Sequence, residues 1–381
     1  MKITLLGPAY PYRGSFANLT KRLVEEFQKE DNIVNVYTFT LQYPNFLFPG
    51  ESQYSESEAP KDIKIIRNVN SINPFNWIRV GLKLKKEKPD LVILRYWLPF
   101  FSPCFSTISR IARSNKHTKV IAIVDNIIPH EKRIFDNTFT RYFVGGVDGF
   151  LAMSNNVLRD ISKFDTKKPR ILTPHPLFDD FGDFVNKEEA QKKLGLSPKD
   201  INILTFGLIR KYKGVDILIE ALGDERLKAF PIKLMVAGEF YDEPKPYYDR
   251  VKELGLESKV IFVPKFIPDE DVKYYFCSTD LIAQTYRSAT QSGVTQIGYH
   301  FEKPMLVTDV GGLAEIIPNG KVGYVVEPNV KDIADAILDF CISCPDFSKG
   351  IKEEKKKYGW DNKVAAINKL YQETLDYDNK K

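Results

Sequence analysis

The chain has 381 residues, of which 43% are hydrophobic and 28% charged, and it carries a formal net charge of +5. This length can hold two domains with a full core each, and no segment approaches 18 unbroken apolar residues, so the pattern excludes a membrane-spanning helix. Four scattered cysteines are too few for a disulfide framework and predict reduced thiols in a cytoplasmic protein.

Short apolar runs alternate with amphipathic stretches along the first half of the chain. This alternation predicts parallel strands that are covered by helices on both faces. The expected strands are KITLLG, IVNVYTF, IKIIR, DLVILR, KVIAIVD and GFLAM. A polar and aromatic loop at 42–60 separates the second strand from the third, and loops of this length are usually functional or mobile.

A second series of strands begins at residue 201 and comprises INILTFG, IKLMVAG, KVIFVP, DLIAQT, PMLVTD and GYVVE. The polar stretch 173–200 between the two series is typical of a linker. The sequence therefore predicts an α/β protein of two Rossmann-like, doubly wound domains, at 1–180 and 181–359, whose ligand-binding strand edges face each other across a cleft. A final helical pattern at 360–381 is expected to pack back on the first domain.

The segment LTFGLIRKYKGVDILIEAL, at 204–222, places three cations where a strand passes into a helix. Backbone N–H groups and the positive end of the helix dipole converge at such a junction and attract anions. Arg210 supplies a planar fork and Lys213 a point charge, a pair that suits a diphosphate. The alternative is a set of solvated cations ahead of an amphipathic helix.

A second junction of the same kind lies in the same predicted domain. The stretch DLIAQTYRSATQSGVTQIGYHFEKP contains a strand, a small polar loop and a helix that opens at Ser292. The following strand ends in DVGGLAEII, where paired glycines permit close backbone approach. Three loops of this kind on strand ends of one domain predict a phosphate-binding edge.

The order of the segments FGLIRKYKGVDILIEAL, LMVAGEF, VIFVPKFIPDEDVKYYFCSTDLIAQ, KPMLVTDVGGLAEII and GYVVEP resembles the retaining glycosyltransferases of the GT-B fold, family 4 (group 1). The resemblance covers about residues 201–340 and extends more loosely to GPAYPYRGS, DNIIPHEKR and GWDNKVAAINKLY. It implies transfer of a sugar from a nucleotide diphospho-sugar to a hydroxyl of a glycan, polysaccharide or lipid-linked acceptor, with retention of the anomeric configuration.

In that family the nucleotide diphospho-sugar binds the second domain. The resemblance implies that Arg210 and Lys213 clamp its diphosphate. The backbone amides of three residues are then expected to cap the diphosphate from the helix end: Gly293, Val294 and Thr295. The base is expected beside one strand end, at Lys265, Phe266 and Ile267. Fixed cations would stabilise the charge that grows on the leaving nucleoside diphosphate, so no metal or other cofactor is required.

The family usually carries two glutamates, separated by seven residues, that hold the donor sugar and the ribose. Aligned on Gly293, the two positions fall on Thr290 and Gly298; aligned on Lys303-Pro304, they fall on Ala289 and Ile297. Neither alignment recovers a glutamate. Neutral hydrogen bonds are the expected replacement, from Thr290, Gln291 and Gln296. The departure leaves the donor sugar open.

Two candidates for chemistry at the acceptor lie in the first predicted domain. Asp125 ends a strand where many relatives have a histidine, and His130 follows five residues later. Either could orient an acceptor hydroxyl or take its proton. Gly14, in GPAYPYRGS, resembles the family's glycine loop beside the phosphates and the acceptor. His175 is expected to be structural.

The first half of the chain is basic, with 26 Lys and Arg against 18 Asp and Glu in residues 1–180. Within it, NPFNWIRVGLKLKKEKPD combines apolar and lysine side chains at helical spacing. Such surfaces lie on anionic lipid, which predicts peripheral contact with the inner face of a membrane. The competing interpretation is a sheet-covering helix with a solvated outer face.

Two other classes of protein are disfavoured by the sequence. A dehydrogenase would need a G-x-G-x-x-G after a strand, which this chain lacks, and no nucleic-acid-binding module is present. The missing glutamates keep one alternative open, a nucleotide-sugar-binding protein of the same fold without catalytic activity.

Overall fold

Both predicted strand series form parallel sheets in the computed structural model, which describes residues 1–44, 53–55, 58–129, 134–289 and 291–379. The chain divides into Met1–His175 with Trp360–Lys381, here called unit 1, and Pro176–Gly359, here called unit 2. Unit 2 thus begins five residues before the boundary expected from the sequence. All four cysteines are free thiols.

Unit 1 contains a seven-stranded parallel sheet in the order β3-β2-β1-β4-β5-β6-β7. Its strands are β1 (Lys2–Leu6), β2 (Ile33–Leu41), β3 (Lys64–Asn70), β4 (Leu91–Tyr96), β5 (Lys119–Val124), β6 (Gly149–Ala152) and β7 (Arg170–Leu172). Every residue of β4 is buried, as expected for a strand covered on both faces. The strand order reverses between β1 and β4, and ligands of doubly wound sheets bind at this switch point.

Six of these strands were predicted and β7 was missed. It spans three residues and has no fully buried position, so its sequence shows no apolar run. In the described parts of unit 1, the α-helices between the strands are α1 (Ser15–Lys29), α2 (Pro74–Glu87), α3 (Ser102–Arg113), α4 (Asp136–Val144) and α5 (Asn155–Ser162).

Unit 2 contains a six-stranded parallel sheet in the order β10-β9-β8-β11-β12-β13. Its strands are β8 (Ile201–Phe206), β9 (Ile232–Ala237), β10 (Val260–Val263), β11 (Leu281–Gln284), β12 (Met305–Thr308) and β13 (Gly323–Val326). All six match predicted segments. Here the order reverses between β8 and β11, so the two junctions singled out in the sequence follow neighbouring strands at the switch point.

The helices of unit 2 are α6 (Lys187–Leu194), α7 (Val215–Leu222), α8 (Lys245–Glu253), α9 (Asp269–Cys277), α10 (Gly293–His300), α11 (Leu313–Ile316), α12 (Val330–Ser343) and α13 (Ser348–Lys355). Helix α6 corrects the prediction of a linker at 173–200. Asn186 caps it by accepting a 2.8 Å hydrogen bond from the Glu188 amide, and Ala190 is buried where α6 packs on α9. The sequence did not predict α6 because most of its residues are polar and only a narrow stripe of the helix is buried.

The last helix, α14 (Trp360–Asn379), packs on unit 1 against α1, β5 and β6. Ile367 and Leu370 are fully buried in this contact. The Arg22 guanidinium of α1 lies 5.1 Å from the Trp360 ring centre. The end of the chain is therefore part of the core of unit 1.

Leu370→Ala is expected to destabilise unit 1 by about 2–4 kcal/mol, because it removes a buried side chain and leaves a cavity. The three tryptophans of the chain, Trp77, Trp97 and Trp360, all lie in unit 1, so tryptophan fluorescence in urea reports on this unit. Lys369→Ala is the matched control, since that neighbouring side chain is 71% exposed. Equal effects of the two changes would show that α14 does not stabilise unit 1.

Candidate functional site

The turn after β8 brings the backbone of unit 2 to the end of β11. Gly207 and Gly214 have φ angles of +92° and +62°, which side-chain-bearing residues rarely adopt. The Thr285 hydroxyl, directly after β11, donates a 2.9 Å hydrogen bond to the Gly214 carbonyl. A short 3-10 turn, Lys211–Lys213, lies between the two glycines and precedes α7. The two strand ends at the switch point are thereby joined.

Lys213 is a buried cation in this turn, with only 7% of its surface exposed. Within the described residues, its ammonium donates one hydrogen bond, at 3.3 Å, to the Phe206 carbonyl. Burial lowers the pKa of Lys213, and the nearby Arg210 guanidinium lowers it further. A buried ammonium with so little compensation favours an anion as its missing partner.

The first turn of α10 lies beside the same ammonium. A Cβ atom added at Gly207 would stand 3.2 Å from the Lys213 Nζ and 3.8 Å from a methyl group of Val294. The Lys213 Nζ is also 5.5 Å from the Tyr286 ring centre, and the Tyr286 hydroxyl is 3.1 Å from the Ser292 Oγ. The structure therefore brings together the two junctions that the sequence singled out separately.

Helix α10 begins where the sequence predicted, with Ser292 as its cap. The Ser292 Oγ accepts a 3.2 Å hydrogen bond from the Val294 amide. The expected donation of the Val294 amide to a phosphate would thus require the serine side chain to rotate. Gly293 packs against the Phe178 ring, which covers this end of the helix. Thr295 is fully buried.

Arg210 precedes the 3-10 turn and is exposed, in contrast to Lys213. Its guanidinium carbon lies 4.9 Å from the ring centre of Tyr241, which follows β9. The ring restrains the long side chain while the N–H groups stay accessible to a ligand. Arg210 and Lys213 are thus an outer and an inner cation of one turn.

The residues expected near the base follow β10. Lys265 is exposed, Phe266 is 37% exposed, and Ile267 is buried. An exposed aromatic ring on a strand end can stack on a nucleobase. Ile267 can contribute only as the packing beneath that ring.

Two buried glutamines in unit 2 have no hydrogen-bond partner for either amide atom, Gln284 and Gln296. Gln296 was predicted as a donor contact and is fully buried in α10; Gln284, at the end of β11, was not predicted. The Gln291 Oε1 is also buried without a partner. Unpaired buried amides at a ligand-binding edge are costly unless a ligand or water satisfies them. Thr290 lies outside the described residues.

None of the described positions that could replace the missing glutamates is open to a ligand. Gly298 faces the sheet, where an added Cβ would stand 2.8 Å from the Met305 sulfur and 2.9 Å from Ile282. Ala289 and Ile297 are buried. Helix α10 uses this face for packing.

In unit 1, the predicted residue Asp125 is bound to Arg95, the penultimate residue of β4. The guanidinium donates two hydrogen bonds to the carboxylate, at 2.8 and 2.6 Å. Both groups are buried, and Arg95 also lies over the Phe16 ring with its guanidinium carbon at 4.5 Å. The geometry makes Asp125 the charge partner of Arg95, and its expected role at an acceptor hydroxyl stays a prediction.

Lys363 of α14 reaches the same cluster. It is buried, with its ammonium 3.0 Å from the Met153 sulfur and 3.3 Å from the Pro174 carbonyl. Burial, together with the Arg95 charge, lowers the pKa of Lys363 to about 7. The His175 Nε2 lies 3.5 Å from the Asp125 carboxylate, and burial lowers the pKa of His175 well below its usual value. His175 is therefore neutral and held inside the cluster.

Gly14 has a φ angle of +99° and forms the cap of α1, two residues before Phe16. The glycine loop and the Arg95–Asp125 pair therefore lie at the same edge of the unit 1 sheet. His130 lies outside the described residues.

One of the residues that were missed could have been found from the sequence. Arg95 is a lone cation in the otherwise apolar strand LVILRY, and a buried arginine requires a carboxylate. No local sequence pattern identifies Lys363 or Gln284 as a site residue, because their burial depends on contacts with distant elements.

Residues 186–358 match the family model described as "Glycosyl transferases group 1". The chain is 25% identical over 396 aligned residues to an uncharacterized glycosyltransferase of Methanocaldococcus jannaschii, and the match covers 99% of each chain. It is 22% identical to the D-inositol 3-phosphate glycosyltransferase of Rhodococcus erythropolis over 51% of this chain, a match that spans only about half, 46%, of that relative.

The fold is similar to that of HepE from Anabaena, solved in complex with UDP. The TM-score is 0.72 at 17% sequence identity, and the likeness covers 99% of this chain and 100% of the other. At this level of identity the likeness shows the fold alone. The two parallel-sheet α/β units and their structural neighbours agree with the GT-B fold.

Lys363→Met is expected to flatten the pH dependence of the stability of unit 1. The pKa of Lys363 is about 7 in the folded chain and 10.5 as its ordinary value, so the unfolded state binds more protons between these limits. Stability of the natural protein should therefore rise from pH 7 to pH 9, by up to about 1.4 kcal/mol per pH unit.

Urea titrations followed by tryptophan fluorescence at these pH values measure the slope. Lys369→Met, on the exposed side of α14, is the control and should keep the slope of the natural protein. A slope unchanged in Lys363→Met would show that Lys363 is not the titrating group.

Gly298→Glu restores one family glutamate in sequence but is expected to destabilise the protein by about 3 kcal/mol or more, since its carboxylate would be forced into the sheet packing. Gly298→Ala should lose less stability than Gly298→Glu, because it adds only one methyl group. Thermal unfolding followed by circular dichroism measures both. Natural stability together with tighter donor binding in Gly298→Glu would contradict the packing role of this glycine.

Proposed function

We propose that this chain, whose family match and fold support a place among the group 1 glycosyltransferases, transfers a sugar from a nucleotide diphospho-sugar to an acceptor hydroxyl with retention of the anomeric configuration. The observation that carries the proposal is the buried, under-compensated ammonium of Lys213 beside the start of α10. Unit 2 holds the donor and unit 1 the acceptor.

The diphosphate of the donor binds between the turn after β8 and the start of α10. Lys213 supplies the inner charge, Arg210 the outer fork, and the end of the α10 dipole adds to both. A ligand anion would replace the missing partner of Lys213 and so recover the cost of burying it.

The same contacts assist the chemical step. Sugar transfer releases a nucleoside diphosphate, on which negative charge grows as the glycosidic bond breaks. Cations fixed in place before the reaction stabilise this charge without reorganisation. The proposal therefore includes no metal ion and no other cofactor.

In this proposal, neutral side chains recognise the hydroxyl groups of the donor through hydrogen bonds. Gln291 and Gln296 carry buried amide atoms without partners. A hydroxyl satisfies such an atom, whereas a donor that lacks the hydroxyl leaves it unpaired, which is a strong source of discrimination. The base stacks on Phe266. Because HepE was solved with UDP, a uridine nucleotide is the first donor to test.

The acceptor lies at the carboxyl edge of the unit 1 sheet, near the Arg95–Asp125 pair and Gly14. We place the acceptor among glycans, growing polysaccharides and lipid-linked intermediates, handled in the cytoplasm by an enzyme in peripheral contact with a membrane. The basic character of the first half of the chain supports this setting.

The alternative of a binding protein without catalytic activity rests on the missing glutamates. Slow hydrolysis of a donor separates the two functions, because a transferase releases nucleoside diphosphate without an acceptor and a binding protein does not. Once an acceptor is found, NMR of the product gives its anomeric configuration. An inverted product would contradict the retention proposed here.

Lys213→Ala and Arg210→Ala are each expected to weaken the binding of a nucleoside diphosphate by tenfold or more, since each removes a charge-assisted contact of about 1.5–3 kcal/mol. Binding of the uncharged nucleoside should hardly change. Isothermal titration calorimetry with UDP and uridine measures both.

Lys211→Ala is the matched control, because Lys211 is an exposed cation of the same turn. It should leave the affinity for UDP close to that of the natural protein. An equal loss for all three variants would indicate general charge attraction, and an equal loss for UDP and uridine would remove the phosphate role.

A further inference from the structure

Many of the exposed apolar side chains of the protein lie on or just before two helices of unit 1. Phe75 is 84% exposed and Ile134 is 94% exposed. Among the residues that the structure describes, those on these helices or just before them are Ile72, Phe75, Ile78, Leu82, Ile134, Phe135, Phe139 and Tyr142. Exposure of this density on one part of a surface marks an interaction site.

The two helices belong to one continuous surface, because α3 lies between α2 and α4. Gly81 of α2 packs directly on Ile111 of α3. On the other side, the Tyr142 hydroxyl of α4 lies 3.2 Å from the Thr107 hydroxyl, and the Arg110 guanidinium carbon lies 5.0 Å from the Tyr142 ring centre. We call this surface of α2, α3 and α4 the α2–α4 face.

The α2–α4 face is strongly basic. Its helices carry the cations Arg79, Lys83, Lys85, Lys86, Arg110, Arg113 and Arg141, against the carboxylates Glu87 and Asp136, and Arg113 is also paired with the buried carboxylate of Asp148. On α2, the exposed side chains of Lys85 and Lys86 lie one turn beyond Leu82, which lies two turns beyond Phe75. Apolar residues flanked by cations are complementary to a partner whose surface carries anionic groups above an apolar interior.

The most exposed apolar residues lie at the ligand-binding edge of the sheet. Helices that connect parallel strands begin at the carboxyl ends of those strands. Ile72 and Phe75 follow β3, while Ile134 and Phe135 follow β5 and Asp125. The apolar end of the α2–α4 face therefore adjoins the edge that holds the Arg95–Asp125 pair.

We propose that the α2–α4 face docks on an anionic phospholipid surface, with the apolar residues at the starts of α2 and α4 inserted among the lipids and the cations on the headgroups. This proposal deepens the membrane contact of the proposed function by assigning its surface. It also points to a membrane-resident amphiphile as the acceptor, since the docked edge is the acceptor edge.

Peripheral docking agrees with the other properties of these helices. None of the helices in the described parts of the chain has the length and apolarity needed to cross a bilayer. A second copy of the chain is a poorer occupant, because a symmetric contact would place this basic surface against itself.

Vesicle flotation of the full chain tests the proposal. At low salt the protein should float with phosphatidylcholine vesicles that contain phosphatidylglycerol and bind pure phosphatidylcholine much more weakly; high salt should reduce the bound fraction. Lys85→Gln with Lys86→Gln should lower the partition coefficient about 25-fold, at about fivefold for each cation.

Two double variants that remove apolar side chains should each lower the partition coefficient at least about tenfold. They are Phe75→Ser with Leu82→Ser, and Ile134→Ser with Phe135→Ser. The matched control is Ile33→Ser with Ile342→Ser, which removes two apolar side chains that are 68% and 66% exposed elsewhere. The control should float like the natural protein.

Three outcomes would overturn the proposal: no flotation with anionic vesicles, equal flotation of the variants and the natural protein, or a dimer in sedimentation velocity that the Phe75 and Ile134 double variants dissociate. UDP binding by the same variants should stay unchanged. Failure of flotation with intact UDP binding would refute the docking surface alone, whereas loss of UDP binding in Lys213→Ala concerns the donor site alone.

Discussion

The donor site proposed for unit 2 depends on one buried ammonium beside the end of β8. Lys213 is inside unit 2, yet the described residues offer it a single long hydrogen bond. Burying this ammonium costs free energy on folding, and in the proposed function a bound anion recovers that cost. The tight turns at Gly207 and Gly214 and the start of α10 are arranged around this group. This geometry shields the Lys213 ammonium from water and still leaves it accessible to a ligand.

The two units differ in how their buried cations are compensated. In unit 1, Arg95 is neutralised by Asp125 through two hydrogen bonds, and Lys363 is surrounded by a sulfur and carbonyl oxygens. In unit 2, Lys213 has no carboxylate within the described residues of its turn. A cluster that is already satisfied orients groups, whereas an unsatisfied cation binds a ligand. This difference supports assigning the anionic donor to unit 2 and an uncharged hydroxyl to unit 1.

The absence of the family glutamates is consistent with this arrangement. Gly298 packs against β11 and β12, so helix α10 lies too close to the sheet for a longer side chain. The polar groups that remain near the start of this helix are amides and hydroxyls, which add no negative charge beside Lys213. In the proposed function, the cations and the start of α10 therefore bind the diphosphate, and neutral groups recognise the sugar.

The strands of both sheets other than β7, and the start of α10, were predictable, because each is encoded in a few neighbouring residues: an apolar run, or a serine before a helix. The clustering of Arg210 and Lys213 was visible for the same reason. Strand β7 and helix α6 were missed because their burial is narrow. The pairing of Arg95 with Asp125, the entry of Lys363 from α14 and the continuity of α2, α3 and α4 join residues that are 30 or more positions apart. Sequence periodicity carries no record of such contacts, so only the packing of the sheets and helices decided which charges are buried together and which apolar side chains remain exposed.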